Sequence, residues 1–327
     1  MPLKKLLTTP HRTIVIGAGI LLLGMVFQFA DVNPAVSQTA SLTAYRSSND
    51  PGIDPNSDAW KNAIFVQVPL TAQAGQYFAG GGSVPVVIAK ALNYNNKLYV
   101  RLEWDDATVD DSTTRVQDFS DAAAVEFPAR TASTVPSICM GQADAGVNIW
   151  QWRADSQAGV KDPTVVHPNA EVDLYPSTDP LFYTARAVGN PYANPDQGPV
   201  QTLVAQTFGT LTPATVQDVK GAGVHKDGKW AVVFTRDFTG ANGDQAGFSV
   251  GAKTDLAIAI WNGSQQDRDG HKSVSQFLTL DITAMQVATK PGIDRTVVLL
   301  AAVVFIGVSG LGVGLAVYGS SEAKRAR

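Results

Sequence analysis

A thioether and an amine far apart in the chain, Met140 and Lys272, carry its most specific chemistry. Met140 lies in Ile138-Cys139-Met140-Gly141, shortly before Val147-Asn148-Ile149-Trp150-Gln151-Trp152-Arg153. A thioether is a soft ligand suited to haem iron, and such a site needs a second axial partner. The segment Asp267-Arg268-Asp269-Gly270-His271-Lys272-Ser273-Val274-Ser275 supplies two nitrogens, with Lys272 taken first. Imidazole is the commoner haem ligand, but in extended chain His271 points away from the side that Lys272 faces. His167 and His225, in a loop and beside a turn, are further alternatives. Taken alone, each has a plainer reading: Met140 as a filler of core gaps, Lys272 as a solvated turn lysine. The Asp267-x-Asp269-Gly270 spacing matches part of a calcium loop but lacks the later bidentate glutamate.

The elements that must position these groups are bounded by composition. The chain has 327 residues, 45% of them hydrophobic and 17% charged, enough for one substantial core with attachments. Its one cysteine, Cys139, excludes an internal disulfide framework, a cysteine-ligated zinc or iron-sulfur centre, and covalent haem attachment. Any haem is therefore held without covalent bonds. Residues 31–292 carry 18 Lys plus Arg against 27 Asp plus Glu, a net charge of −9. That balance argues against nucleic acid and would suit docking to a basic redox partner.

Two apolar runs bracket the central region. Residues 13–30 form an uncharged stretch preceded by Lys4, Lys5 and Arg12. It reads either as a retained anchor or as a signal peptide removed near Ala35-Val36-Ser37. Residues 296–318 form an uncharged run long enough to span a bilayer, followed by Lys324, Arg325 and Arg327. The basic tail predicts a cytoplasmic C-terminus and an exported central domain. Gly307, Gly310, Gly312 and Gly314 offer surfaces on which another transmembrane helix could pack. The domain plan is thus 1–30 signal or anchor, 31–58 linker, 59–292 the main module, and 293–327 a transmembrane helix with its basic tail.

Within the main module, nine short runs rich in β-branched and aromatic residues are separated by turn residues. They cover 63–68, 84–92, 97–104, 122–127, 147–153, 201–206, 230–236, 255–261 and 277–282. Tyr94-Asn95-Asn96-Lys97 and Lys226-Asp227-Gly228-Lys229 read as tight hairpin turns. An all-β fold is expected: an antiparallel two-sheet β-sandwich with long loops, the longest over the proline-rich 163–199. No phosphate-binding glycine loop, nucleophile elbow or fixed-period repeat is present.

The ordered set Asp58-Ala59-Trp60, Leu98-Tyr99-Val100, Leu102 to Asp106, Asp121 with Val125 to Pro128, Met140-Gly141 and Asn148 to Trp152 carries a resemblance. It continues through Trp230 to Phe234 with Arg236, Trp261-Asn262-Gly263 and Asp267 to Ser275. Over about residues 59–282 the chain resembles the haem b-binding gamma subunit of ethylbenzene dehydrogenase and of related molybdenum enzymes of the DMSO reductase superfamily. The resemblance implies a sandwich like certain carbohydrate-binding (family 9) and DOMON modules. It also implies one non-covalent, hexacoordinate haem b with Met140 and Lys272 as iron ligands. Trp150, Trp152 and Phe127 are candidates to wall the macrocycle, and Arg153 or Arg236 to pair with its propionates. The implied role is a membrane-anchored cytochrome, not a catalytic chain. It would relay electrons between iron-sulfur and molybdopterin subunits, as in nitrate or nitrite oxidoreductases, and a quinone or cytochrome pool. The familiar gamma subunits are soluble, so the apolar run at 296–318 leans the resemblance towards a membrane-anchored respiratory relative or a stand-alone membrane cytochrome. The rival readings are a haem-free sandwich binding carbohydrate through its tryptophans, and a structural membrane anchor.

Overall fold

A computed structural model describes residues 41–73, 81–113, 115–138, 140–159 and 198–286. The two apolar runs at 13–30 and 296–318, and most of the proline-rich loop, lie outside these residues. Among the described residues no helix is long and apolar enough to cross a membrane.

The described chain is almost entirely β. In chain order the strands are β1 (Ser41–Arg46), β2 (Phe65–Pro69), β3 (Thr71–Ala72), β4 (Val86–Tyr94), β5 (Lys97–Asp105), β6 (Ala122–Pro128) and β7 (Val147–Arg153). A single helical turn, α1 (Ala154–Ala158), precedes β8 (Val200–Ala205), β9 (Thr212–Pro213) and β10 (Lys220–Lys226). Then come β11 (Lys229–Asp237), β12 (Lys253–Trp261), β13 (Ser273–Val274) and β14 (Leu278–Gln286). All nine runs expected from the sequence are strands. Both hairpin turns form as their residues dictate, with positive φ at Asn95 and Asn96 (45° and 58°) and at Asp227 and Gly228 (53° and 73°).

The sandwich is one sheet folded on itself, in the order β10-β11-β5-β4-β1-β14-β12-β6-β7-β8-β9. The fold occurs along β12, whose first half pairs with β14 (Leu256 opposite Leu278) and whose second half pairs with β6 (Ala257 opposite Glu126). The expectation of a purely antiparallel sandwich is corrected: β1 runs parallel to both neighbours, β14 and β4. The reason lies in a segment the composition marks as linker. Ser41-Leu42-Thr43-Ala44 alternates exposed and buried residues and slots between two longer strands, burying Leu42 and Ala44 completely.

Strand alternation sends one set of side chains into the space between the layers. Val125 and Phe127 of β6, Trp150 and Trp152 of β7, and Trp230, Val232 and Phe234 of β11 form one core with Leu256, Ile258 and Ile260 of β12. The rings interlock: Trp152 meets Trp230 edge-on at 4.9 Å, and Phe127 meets Trp150 at 4.8 Å.

Candidate functional site

The opposite face of the β12-β6-β7-β8 layer is also apolar, which an exposed sheet face would not be. Ala122 and Ala124 of β6, Val147 and Ile149 of β7, Leu203 and Ala205 of β8, and Trp261 of β12 form a second cluster, with Met140 and Ala259 packed on it. Across the β6–β12 pairing Ala259 faces Ala124, with Ala257 opposite Glu126 and Ala122 opposite Trp261, so a low alanine strip runs between the two larger side chains.

Over this strip opens a cleft of about 770 Å³, continuous in its lining with a narrower cavity of about 50 Å³. Its size lies within the ~300–1,000 Å³ usual for small-molecule and cofactor sites. Met140, Gln151, Leu203, Trp261 and Lys272 line both cavities. The fold therefore brings Met140 and Lys272, distant in sequence, to one cavity.

Each arrives on a constrained turn. Met140 has a φ of 73°, a left-handed conformation that a long side chain adopts only when its surroundings hold it. Here the Gly141 amide donates to Ser137 O at 2.8 Å, and Gln142 and Ala145 bridge back to back. Lys272 follows the turn at 268–271, closed by the His271 amide donating to Arg268 O at 2.9 Å, and directly precedes β13. Its Nζ stands 4.8 Å from the centre of the Trp261 ring, whose indole N–H donates to Asp269 O at 3.1 Å.

The other sequence candidates are distributed differently. His271 is not among the residues lining the cleft. His225 Nε2 pairs with Asp106 O at 2.8 Å, and His225 packs on Trp230 on the far layer. Trp150, Trp152 and Phe127 point into the sandwich interior, so they cannot wall the cleft. Arg236 is also interior. Its guanidinium donates to Asn148 Oδ1 (3.0 Å) and to the carbonyl of Ala246, and lies over the rings of Trp150 and Phe248 at 5.1 and 5.2 Å. It serves the core rather than a cleft ligand. Burial lowers its pKa to about 10. Arg153 does reach the cleft, where it is paired with Asp155.

Among the described residues, three buried polar atoms on the cleft wall find no hydrogen-bond partner: Gln73 Oε1, Glu126 Oε1 and Gln201 Nε2. Unpaired buried polar atoms are costly, so this wall carries polar capacity that a bound group or water could meet. Of these Glu126 is the most consequential. Burial pushes its carboxyl up to about 8, with Lys272 pulling the other way. None of the three stands out by residue type. The available signal was the outward set Ala122, Ala124 and Glu126, which has none of the short polar residues of a wetted strand face.

A pH dependence follows. The folded pKa of Glu126 lies above the ordinary 4.5, so the folded state holds that proton more tightly. The associated stability is complete below about pH 4 and is lost as pH rises towards 8. In haem-free protein Glu126→Gln should therefore raise unfolding free energy near pH 8 by roughly 2–4 kcal/mol and leave it little changed near pH 4. Denaturant melts at the two pH values check this; an equal effect at both would rule it out.

Comparisons with known proteins bear on the same span. The family model described as ethylbenzene dehydrogenase matches residues 57–273. The chain is 30% identical over 224 residues to a protein of Haloferax mediterranei named as a proposed respiratory nitrate reductase haem subunit, covering 68% of this chain and 66% of that one. It thus spans just under two thirds of that relative's length. It is 29% identical over 224 residues to the chlorate reductase subunit gamma of Ideonella dechloratans, covering 68% of this chain and 75% of the relative. Among solved structures, a family 9 carbohydrate-binding module from Caldicellulosiruptor kristjanssonii in complex with glucose aligns over 76% of this chain and 100% of its own. The TM-score is 0.38 and the identity 11%, too remote for any conclusion about ligand.

Proposed function

The chain belongs to the ethylbenzene dehydrogenase family, among its gamma subunits, and on that premise we propose that it is a b-type cytochrome subunit. It would relay single electrons between a molybdenum and iron-sulfur oxidoreductase and a quinone or cytochrome pool. The observation that carries this reading is the meeting of Met140 and Lys272 at one cleft above an alanine strip. Both relatives named above are subunits of oxidoreductases, and one is named for haem.

The residues present fit a planar iron cofactor. Ala122, Ala124, Ala257 and Ala259 leave height for a flat ring above the sheet, and Trp261 and Leu203 supply apolar contact. A haem b supplies one-electron cycling of its iron. Met140 contributes a neutral sulfur that favours the reduced metal. Lys272 would have to release its proton to present a lone pair, so uptake of the group should depend on pH. If Met140 and Lys272 both held the iron, small molecules would have no open position, which would suit electron transfer over substrate chemistry. Arg268 lines the cleft, as do Arg153 and Arg115 from their pairs with Asp155 and Asp118, and these are the guanidiniums that could meet carboxylates.

The haem module would begin with β1, which lies inside the sheet, rather than at residue 59, and run to about residue 292, with 293–327 holding it to the membrane through the apolar run and basic tail. Residues 1–30 would act as signal or second anchor. The module would then face outward with the C-terminus in the cytoplasm. The partners are iron-sulfur and molybdopterin subunits, membrane lipid, and a soluble cytochrome or quinone-reactive subunit. The rival carbohydrate-binding reading loses its basis, since Trp60, Trp104, Trp150, Trp152 and Trp230 are buried and only Trp261 lines the cleft.

The test is a haem titration of the purified full-length chain. One haem per chain, with the narrow reduced-minus-oxidised bands of low-spin b haem, is expected. No uptake by protein expressed with ample haem would end the proposal.

A further inference from the structure

The turn that carries Lys272 is gripped by backbone on both sides of residues 74–80. The Gln73 amide donates to Lys272 O at 2.9 Å, the Gly82 amide to Asp267 Oδ1 at 3.1 Å, and the Val84 amide to Ser273 Oγ at 3.0 Å. β3 pairs with β13 beside this grip, Ala72 opposite Ser273. The contact is flush at two glycines. A Cβ on Gly82 would stand 2.5 Å from Ala72 Cα and 2.8 Å from Lys272 O. One on Gly81 would stand 2.7 Å from both Cα and Cβ of His271. Their φ angles, +86° at Gly81 and +78° at Gly82, also disfavour side chains. The two glycines thus abut the backbones of the two residues that compete to supply nitrogen to the cleft.

We propose that Gly81 and Gly82 are positioning residues that choose the ligand: seated against His271 and Lys272, they fix the turn so that Lys272 enters the cleft while His271 stays outside it. This rests on the haem reading above. A Cβ at residue 82 meets backbone at Ala72 and Lys272 rather than a pliable side-chain tip, so β3 and the Lys272 carbonyl are forced apart from residue 82 and the base of the lysine side chain shifts. The proposal concerns geometry alone, and removes no group that could touch the haem.

Gly82→Ala in the full-length, haem-loaded protein tests it, with Gly251→Ala as control. Gly251 has a φ of +86° but nothing within 4 Å of an added Cβ, so it carries backbone strain without the collision. The expected result is that Gly82→Ala reproduces the spectrum of Lys272→Ala, with most haem leaving the low-spin state and added imidazole restoring it. Gly251→Ala should keep the wild-type spectrum. Ser273→Ala, which frees the Val84 amide without adding bulk, should show the same shift in smaller degree, so the answer does not depend on Gly82→Ala folding. A wild-type spectrum in Gly82→Ala, an unchanged spectrum in Ser273→Ala, or an equal loss in Gly251→Ala would overturn the inference. Failure of the wild-type chain to bind haem would instead remove the haem reading, and this inference with it.

Discussion

Lys272→Ala and Met140→Ala should each convert a low-spin cytochrome into a protein whose haem is largely high-spin and bound at least roughly 100-fold more weakly, since even partners one step removed from a metal are worth 10–100-fold in affinity. The two variants should differ in character. Losing the sulfur of Met140 removes the ligand that favours reduced iron, so the midpoint potential should fall. Losing Lys272 leaves a vacancy that small bases can enter, and imidazole should restore the low-spin spectrum. Lys272→Arg should fail as completely as Lys272→Ala, because a guanidinium stays protonated at any accessible pH. Difference spectra and a redox titration read all of this. Wild-type spectra in both alanine variants would mean that the ligands are other residues, even if the protein binds haem.

The second large effect is on stability and needs no cofactor. Asp121 is wholly buried, and its carboxylate accepts from the Asp110 amide at 2.8 Å, the Trp230 indole N–H at 2.9 Å and the Gly263 amide at 2.8 Å. These donors come from the loop after β5, from β11 in one layer, and from the end of β12 in the other. One side chain thus ties both layers to the cleft-side loop. Asp121→Ala would strand three donors, two of them buried, and should cost roughly 3–5 kcal/mol, a large share of a domain's total stability. Burial pushes the Asp121 carboxyl up to about 7, the other contacts only partly offsetting it. Asp121→Asn keeps the shape and one acceptor and should cost less. Chemical denaturation checks the order; a loss below about 1 kcal/mol in Asp121→Ala would show that the tie is dispensable.

The sequence is informative where local chemistry and fold agree. Trp230 to Phe234 and Leu98 to Trp104 are β-branched or aromatic runs that can only be strands, and Asn95-Asn96 and Asp227-Gly228 can only turn tightly. It is less so where tertiary packing sets the residue type. β10, Lys-Gly-Ala-Gly-Val-His-Lys, reads as loop because glycine is a poor strand former. Yet a Cβ at Gly223 would lie 2.4 Å from the Trp152 ring, so the strand keeps glycine to admit the indole. β1 hides for the opposite reason: its Ser, Thr and Arg positions are edge-like, while its register between β4 and β14 is set by residues far along the chain.

The candidate site divides along the same line. Met140 and Lys272 stand out in the sequence as candidates, and the fold places both at the cleft. Trp150 and Trp152 were legible as aromatic partners of something, but strand parity decides the side. Gln151 and Arg153 alternate with the two tryptophans and mark the opposite face, but Val147 and Ile149 on that same face and Asn148 on the core face blur the pattern. Arg236 misled for a related reason, being a cation held inside by Asn148 and two rings rather than by a ligand. Glu126 had no signal of its own as a cleft residue. Its meaning comes from the alanine strip beside it.

The measurement that tests the central claim most directly is an experimental structure of the haem-loaded chain. It should show the iron between Met140 Sδ and Lys272 Nζ, with the macrocycle over the β6–β12 alanines. Haem bound elsewhere, or an iron held by any other pair of side chains, would contradict the account.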